Sequence, residues 1–419
     1  MDVNMTKQTD CNSVKERSSF TRIFEPASSS AQISSLHRGT FSRVKELHSF
    51  KHKRKVGYLL GLLFLCALAT GCKKNSQKDN SFIIQPTVAP TEVIEPTATP
   101  IITPEVNREG QAISKLTGLW VEEEIANQRP FAVMLNNIKV ANPQSGIGDA
   151  SILYEALVEG GITRLMGIFE GIDKSSKTAE RIGSVRSARH YYVSFADEYD
   201  AIFVRYGQTS YAVKKIKKLG IDTISGMDGA GVNSFYRDKS IKAPHNAFLS
   251  LDGIERALEK GKYRTTYEEG FEGHYQFNDS DKDLFGGSLA SKVTLKFSSI
   301  AKPYFIYDTN TKEYLRYQYD DKHIDANTSN QLTYKNLIVQ FVKEWNIDKN
   351  GYQTMDIEDA TGEGYYFTNG SYIPITWKKN ESTRFMRYYN KSGEELIINP
   401  GKTYIAVFPD NHVSDVIIE

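Results

Sequence analysis

The stretch Ala201-Ile-Phe-Val-Arg-Tyr-Gly-Gln-Thr-Ser210 predicts the fold of the first half of this chain. Its apolar start indicates a short buried strand, and the glycine that follows indicates a tight turn. The residues from about Tyr211 to Leu219 then predict a helix, which Gly220 would end. The stretch therefore predicts a junction between a strand and a helix, the repeating unit of an α/β sheet.

The segment before this junction predicts a second helix. Ser184 or Ser187 would be its N-cap, and it would run to about Tyr199. Its apolar residues recur at helical spacing: Ala188, Tyr191, Tyr192, Phe195 and Ala196. Two such junctions in succession favour an α/β sheet, and the ligands of such sheets bind at these junctions.

The remaining segments of the first half predict more of this sheet. Residues 131–135 read as a buried strand ending in Asn136-Asn137, and residues 152–158 and 162–169 read as a hairpin turning at Gly160-Gly161. A helix over 149–159 is the alternative. Residues 250–260 predict a short helix, and residues 225–246 a long glycine-rich loop.

From Val293 onward the apolar residues alternate with a period of two, which indicates strands. Asn369-Gly370 and Ser392-Gly393 are typical hairpin turns. The fold class is therefore α+β overall, with an N-terminal α/β mixed-sheet domain over 114–285 followed by an all-β domain over 290–419. The second domain would be a sandwich or an open barrel.

The apolar run from Val56 to Cys72 predicts where the protein works. Basic residues precede the run, and Ala69-Thr-Gly-Cys72 closes it, as in the signal peptide of a bacterial lipoprotein. Residues 1–72 would be this signal, with an atypically long polar extension. Cys72 would carry the lipid, so that the protein is anchored to the extracytoplasmic face of the cell membrane. A core helix or a true membrane anchor is the alternative, although the run is short for a bilayer.

The segment after the signal is a spacer by composition. Residues 73–113 contain Pro with Thr and Val at regular intervals, as in Gln85-Pro-Thr-Val-Ala-Pro-Thr91. Such a segment cannot build a core and is typical of an extended, disordered linker. It would hold the two domains away from the membrane.

Charge and cysteine content exclude several functions. Residues 1–55 carry 11 of the 52 Lys and Arg residues but 5 of the 51 Asp and Glu residues, so the remainder is mildly acidic. A mildly acidic domain is not a general nucleic-acid binder. The three cysteines are Cys11, Cys66 and Cys72, so the exported part has no disulfide. The histidines are scattered, and we expect neither a metal nor a cofactor.

Arginines concentrate around the two junctions and predict an anion-binding site. Guanidinium groups bind phosphate or carboxylate through paired hydrogen bonds, and helix N-termini add N–H donors. The candidate residues are Arg164, Arg181, Ser184, Arg186, Arg189, Arg205, Gly207, Ser210, Arg237, His245 and Asn246. The alternative is an Arg–Glu network that ties helix to sheet through Glu155, Glu159 and Glu180.

Two weaker candidates remain. Asp149, Glu155, Glu159 and Glu170 could supply a carboxylate pair for glycan hydrolysis, although nothing in the sequence fixes their separation. Aromatic residues of the second domain could stack on sugars or bind a partner, with core packing as the alternative. They are Tyr365, Tyr366, Phe367, Tyr372, Trp377 and Tyr388.

Several motifs, in order, resemble the YerB-like family of Gram-positive lipoproteins. They are Arg129-Pro-Phe-Ala-Val-Met-Leu-Asn-Asn137, Tyr154-Glu-Ala-Leu-Val-Glu-Gly-Gly-Ile-Thr-Arg164, Gly183-Ser-Val-Arg-Ser-Ala-Arg189, Pro244-His-Asn246, Asn336-Leu-Ile-Val-Gln340, and Gly362-Glu-Gly364 with Trp377. The resemblance covers about residues 120–412 and departs at Tyr206-Gly-Gln208. It implies an exported, membrane-tethered, two-domain protein of unknown activity and supplies no catalytic residue.

We therefore expect a lipid-anchored protein with a non-catalytic accessory role in the cell envelope. Its partners would be the lipid bilayer, through Cys72, and an anionic wall component or a wall-synthesis protein. One alternative is a hydrolase or transferase acting on phosphate- or glycan-containing envelope material, with Arg186, Arg189 and His245 in its site. Another is a solute-binding lipoprotein.

Overall fold

The computed structural model describes residues 107–380 and 382–419. Its contacts group residues 98–419 into one unit. The predictions for the signal peptide, Cys72 and most of the linker lie outside the described residues. Within them, no helix is both long enough and apolar enough to cross a bilayer.

The first part of the chain mixes strands and helices. In chain order its elements are β1 (Gln111–Ile113), β2 (Trp120–Glu122), α1 (Glu123–Asn127), β3 (Phe131–Asn136), β4 (Ile152–Leu157), β5 (Thr163–Phe169), α2 (Lys177–Glu180), β6 (Ile182–Gly183), α3 (His190–Asp197), β7 (Ile202–Arg205), α4 (Ser210–Leu219), β8 (Thr223–Ser225), β9 (Phe235–Arg237), β10 (Ala247–Leu249) and α5 (Leu251–Gly261).

Strands dominate the second part, and the only helical segment described after α5 is the short 3-10 turn Asp410–Asp415. The strands are β11 (Gln276–Phe277), β12 (Ser288–Leu289), β13 (Lys292–Leu295), β14 (Tyr304–Asp308), β15 (Glu313–Gln318), β16 (Asp321–Lys322), β17 (Thr333–Tyr334), β18 (Asn336–Val342), β19 (Glu344–Asn346), β20 (Gln353–Met355), β21 (Ala360–Thr368), β22 (Ser371–Lys379), β23 (Met386–Tyr389), β24 (Ile397–Ile398), β25 (Thr403–Pro409) and β26 (Val416–Ile418). The α+β prediction is confirmed.

An eleven-stranded sheet runs through both parts of the chain. Its order is β12-β22-β21-β18-β25-β4-β5-β3-β7-β8, with β23 beside β22. Strand β25, near the C-terminus, lies between β18 and β4 and is parallel to both. Four long strands of the second part, β18, β21, β22 and β25, therefore extend the sheet of the first part.

Each face of this sheet is covered by a different layer. On one face, core residues of β3, β4 and β25 pack against α5 and a six-stranded sheet made of β13–β17 and β26. On the other face, α3 and α4 cover the first part of the sheet. Tyr154 of β4 stacks on Phe195 of α3 there, with ring centroids 4.9 Å apart. Burial on both faces explains the nearly continuous apolar runs of β3, β4 and β5.

The two predicted junctions are present, with one correction. Helix α4 begins after Thr209, whose side chain accepts a hydrogen bond from the N–H of Ala212, and ends at Gly220 with φ +69°. Helix α3 begins at His190, later than predicted, and neither Ser184 nor Ser187 caps it. Residues 184–188 are instead held in backbone hydrogen bonds to neighbouring strands, which excludes them from a helix. The helix considered for 149–159 is the strand β4.

Candidate functional site

The candidate site lies at the edge of the large sheet where β3, β4 and β7 end. These strands run in the same direction, so their carboxyl ends meet at one edge. The segment 184–188 crosses this edge between β3 and β7. The N–H of Arg186 donates to the carbonyl of Met134 (2.9 Å), and the N–H of Tyr206 donates to the carbonyl of Arg186 (3.0 Å). This pairing places Arg186 at the edge.

Arg164 lies beneath this segment, on β5, and only 3% of it is exposed. One terminal nitrogen, Nη1, donates to the carbonyl of Ser187 at 2.8 Å. Its Nε is buried and has no hydrogen-bond partner among the described residues. Burial, followed by the charges of Arg189 and Arg186, lowers the pKa of Arg164 to about 9. Arg164 is thus a buried cation at neutral pH, with no carboxylate paired to it in the described part of the chain.

Arg186 is partly buried above Arg164. Its Nη1 donates to the carbonyl of Pro244 at 3.2 Å, while its Nε is buried without a partner among the described residues. Burial lowers the pKa of Arg186, and the charges of Arg189 and Arg237 lower it further. Two neighbouring guanidinium groups therefore each keep a buried N–H donor unused. Such orphaned donors are rare in proteins and commonly indicate a missing water or ion.

His245 completes the inner part of the site. Its Nδ1 lies 2.9 Å from the side-chain amide nitrogen of Asn136, at the end of β3. With the amide assigned as donor, Nδ1 accepts and the ring proton resides on Nε2. Burial and the charges of Arg186, Arg164 and Lys242 all lower the pKa of His245. The imidazole is therefore neutral at pH 7, with an N–H that can donate to a ligand.

Two further cations lie on the outer side. Arg237 is exposed, sits 4.7 Å above the ring of Tyr206, and donates to the side chain of Asn246 at 2.7 Å. Lys242 is exposed on the loop that carries His245. Neither has a carboxylate partner among the residues described. We call Arg164, Arg186, Arg237, Lys242 and His245 the basic cluster.

Three other arginines of the predicted site belong to ion pairs. Arg181 pairs with Asp238 at 2.8 Å, Arg205 pairs with Asp228 at 3.3 Å, and Arg189 pairs with both oxygens of Glu159. Of these three contacts, Arg189–Glu159 belongs to the predicted Arg–Glu network, whereas the other two use aspartates that the prediction did not name. Glu155 pairs with Arg316 instead. Glu180, which that alternative also included, is exposed.

The remaining predicted residues have supporting positions. Ser184 lies 3.4 Å from the amide of Asn136, and Asn246 is held by Arg237. Gly207 has φ +88°, and a Cβ there would lie 2.9 Å from the Ser187 hydroxyl. Ser210 is the exposed first residue of α4. Two residues of the site, Lys242 and Asn136, were not predicted from the sequence, although Asn136 lies within the Arg129–Asn137 motif and Lys242 lies two residues before Pro244-His-Asn246.

The candidate carboxylate pair for hydrolysis is not assembled. Glu155 is fully buried and accepts hydrogen bonds from Asn137, Thr163, Arg316 and Tyr404. Glu159 binds Arg189, and Glu170 accepts from Ser114 and Ser151. Asp149 is exposed. Glu155, Glu159 and Glu170 are thus each held by a different set of hydrogen-bond partners.

The aromatic residues of the second part are mainly core. Tyr366, Phe367, Trp377 and Tyr388 are between 0% and 3% exposed. Tyr365 and Tyr372 are partly buried and pack edge to face with centroids 5.5 Å apart. For the first four of these residues the structure bears out the core-packing alternative, because their side chains face the core.

Known protein families and relatives match most of the residues that the structure describes. Residues 116–264 match the N-terminal domain, and residues 293–405 the C-terminal domain, of a family described as a protein of unknown function, DUF3048. The Bacillus subtilis (strain 168) protein named "Putative lipoprotein YerB" is 33% identical over 296 residues, which cover 70% of this chain and 86% of that protein. The crystal structure of YerB from Bacillus subtilis matches with a TM-score of 0.64 and 29% identity, over 74% of this chain and 99% of that chain. This chain belongs to the DUF3048 family, with YerB as a relative in sequence and fold.

Proposed function

We propose that this protein is a lipid-anchored component of the cell envelope that binds an anionic envelope component through the basic cluster. The lipid anchor would be Cys72, on the extracytoplasmic face. The signal-like run that ends at Cys72 and the lipoprotein name of the Bacillus subtilis relative support the anchor.

The observation that carries the binding proposal is the state of Arg164. A buried cation without a paired carboxylate costs several kcal/mol unless other groups compensate for the lost hydration. The neighbouring charges of Arg186 and Arg189 increase this cost, as the lowered pKa of Arg164 indicates. A bound anion that reached Arg164 and Arg186 together would remove the cost and use both free Nε donors. The cost in the free protein is then the signature of a site shaped for its ligand.

The role we propose is recognition without catalysis. The carboxylates suggested for hydrolysis are held by Arg316, Arg189 and serines, so the residues of the basic cluster act as donors and positive charges. The partner would be an anionic wall polymer, a lipid-linked precursor or a wall-synthesis protein with an acidic surface.

Sedimentation with purified envelope fragments tests this role. We expect the wild-type protein to pellet with the fragments and Arg186→Gln to remain in solution. Arg256→Gln is the matched control, because Arg256 is an exposed arginine on α5 outside the cluster. Equal pelleting of all three proteins would contradict the proposal. Turnover of the fragments that depends on His245 would favour the hydrolase or transferase instead.

The anchor needs its own test. Wild-type protein expressed in a Gram-positive host should take up labelled palmitate, and Cys72→Ala should not. Unlabelled wild-type protein that keeps its first 72 residues would overturn the membrane part of the proposal.

A further inference from the structure

The basic cluster has an excess of positive charge that distinguishes it from the rest of its surroundings. Arg181, Arg189 and Arg205 are each neutralised by one carboxylate. In contrast, Arg164, Arg186, Arg237 and Lys242 have no carboxylate partner within residues 107–380 and 382–419. The charges of Arg186, Arg164 and Lys242 all act on His245, and that of Arg237 acts on Arg186. These four cations therefore share one region of space.

The free hydrogen-bonding groups at the centre of the cluster are donors. Arg164 and Arg186 each offer an unused Nε–H, and His245 offers Nε2–H when Asn136 donates to its Nδ1. The contacts to the carbonyls of Ser187 and Pro244 hold the two guanidinium groups in place and leave these donors unused. A ligand that fits must present several acceptor oxygens and no obligatory donor.

Charge and donor number together select among anions. A single carboxylate offers two oxygens and one negative charge, which would leave most of the cluster uncompensated. A phosphodiester also has one charge. A phosphomonoester carries a charge of about −1.5 to −2 at pH 7 and offers three acceptor oxygens. Arginine forks match this geometry well.

Building on the proposed function, we infer that the ligand of the basic cluster carries a phosphomonoester or diphosphate group, whose oxygens bind Arg164, Arg186 and His245 together. Such a group can belong to a soluble molecule or to the headgroup of a lipid. The chemistry at the cluster is the same in both cases, since the phosphoryl oxygens are the acceptors that these donors would bind.

Titration calorimetry of residues 98–419 at pH 7.5 tests this inference with defined probes. Methyl phosphate, a dianion at this pH, and the more highly charged inorganic pyrophosphate are the multiply charged probes, and dimethyl phosphate and acetate are the monoanionic ones. We expect the multiply charged probes to bind about tenfold or more tightly than the monoanions, because the additional charge meets uncompensated cations in a partly desolvated site. Arg186→Gln and Arg164→Gln should each weaken pyrophosphate binding about tenfold or more, and Arg256→Gln should not.

Vesicles separate the two sources of the phosphoryl group. Phosphatidylcholine vesicles containing phosphatidic acid present a monoester, and those containing phosphatidylglycerol present a diester. If the protein binds only the phosphatidic acid vesicles, and the Arg164→Gln and Arg186→Gln variants weaken this binding, the phosphoryl group belongs to a lipid headgroup. If it binds free pyrophosphate and the same variants weaken that binding, the phosphoryl group belongs to a soluble molecule. Either result supports the inference.

Other outcomes overturn it. Equal affinity for the monoanionic and the multiply charged probes, or pyrophosphate binding that neither variant weakens, contradicts the inference. If methyl phosphate, pyrophosphate and the phosphatidic acid vesicles all fail to bind while Arg186-dependent pelleting with envelope fragments persists, the phosphoryl assignment is wrong and the proposed function stands. If the pelleting is also independent of Arg186, both are wrong. Thermal melting of each variant identifies any that has failed to fold, and the second variant then decides.

Discussion

Replacing Arg316 by methionine should destabilise the protein by about 3 kcal/mol, at the lower end of the range for breaking a buried ion pair. Arg316 of β15 and Glu155 of β4 are both 0% exposed, and their side chains are 2.6 Å apart. The pair therefore joins the six-stranded sheet to the large sheet through the core. Burial alone would lower the pKa of Arg316, but the interactions with Glu155, Tyr404 and Tyr334 together outweigh it and raise the pKa.

The expected loss of about 3 kcal/mol depends on the hydrogen bonds that Glu155 keeps when Arg316 is replaced. After the substitution, Glu155 loses its cation but keeps its hydrogen bonds from Asn137, Thr163 and Tyr404. These neutral donors compensate part of the lost interaction, which is why we expect a cost near 3 rather than 5 kcal/mol. His323, which also contacts Arg316, would lose a partner.

Urea denaturation measures the effect as a change in midpoint at constant slope. Lys292→Met is the control, because Lys292 and Glu419 form an exposed pair on the same six-stranded sheet, at 3.0 Å. That control should change the free energy of unfolding by less than about 0.5 kcal/mol. In the double variant Glu155→Gln, Arg316→Met, the coupling energy should exceed about 1 kcal/mol. A loss below about 1 kcal/mol for Arg316→Met, with an unchanged slope, would refute the role of this pair in joining the sheets.

Three further predictions follow from the same contacts. Arg164→Gln should leave the free protein as stable as the wild type or more stable by about 1–2 kcal/mol in urea, because it removes a buried charge that no carboxylate compensates; a loss above about 2 kcal/mol would contradict this. Burial raises the pKa of Glu344 to about 7, and the charge of Asp410 adds to this effect while that of His412 opposes it. The wild type should therefore lose up to about 3 kcal/mol of stability between pH 4.5 and 7.5, and the Glu344→Gln variant should not show this loss. The sign follows because the folded protein holds this proton more tightly than the unfolded chain, and equal pH profiles would refute the assignment. A chain ending at residue 402 lacks β25 and should fail to unfold cooperatively, because β18 and β4 lose the strand between them; a sharp two-state transition with a wild-type midpoint would contradict the shared sheet.

Local sequence signals predicted the individual elements well. The alternation predicted strands over 304–307 and 314–319, and the Asn369-Gly370 pair predicted a turn. The structure has strands over Tyr304–Asp308 and Glu313–Gln318 and a hairpin at 369–370. The start of α3 was predicted too early because serine is a good N-cap. In the structure, however, Ser184 and Ser187 lie in a segment that hydrogen bonds to Met134 and Gly207 hold extended, and these tertiary contacts leave no local signal in the sequence.

The shared sheet could not be predicted from such signals. Thr403 of β25 pairs with Ile152 of β4, and residues so far apart leave no short-range pattern. The change of period near Val293 indicates a change from mixed elements to strands, and it holds no information about which strands become neighbours. The same limit applies to Arg316, which meets Glu155 only because the two sheets pack face to face.

The candidate site was partly predictable. Arg164, Arg186 and His245, which the sequence grouped with the other arginines near the two junctions, lie close enough in the structure for their charges to interact. Which arginines are neutralised depends on the acids that the fold brings to them, such as Asp238 for Arg181 and Asp228 for Arg205. The sequence therefore pointed to more anion-binding residues than the structure leaves uncompensated.

A crystal structure of the protein grown or soaked with pyrophosphate tests the central claim most directly. Our account predicts a phosphoryl group with oxygens within about 3 Å of Nε of both Arg164 and Arg186, the usual distance for a charge-assisted hydrogen bond. Water molecules alone at these two nitrogens, or a carboxylate of the chain bonded to both, would contradict it.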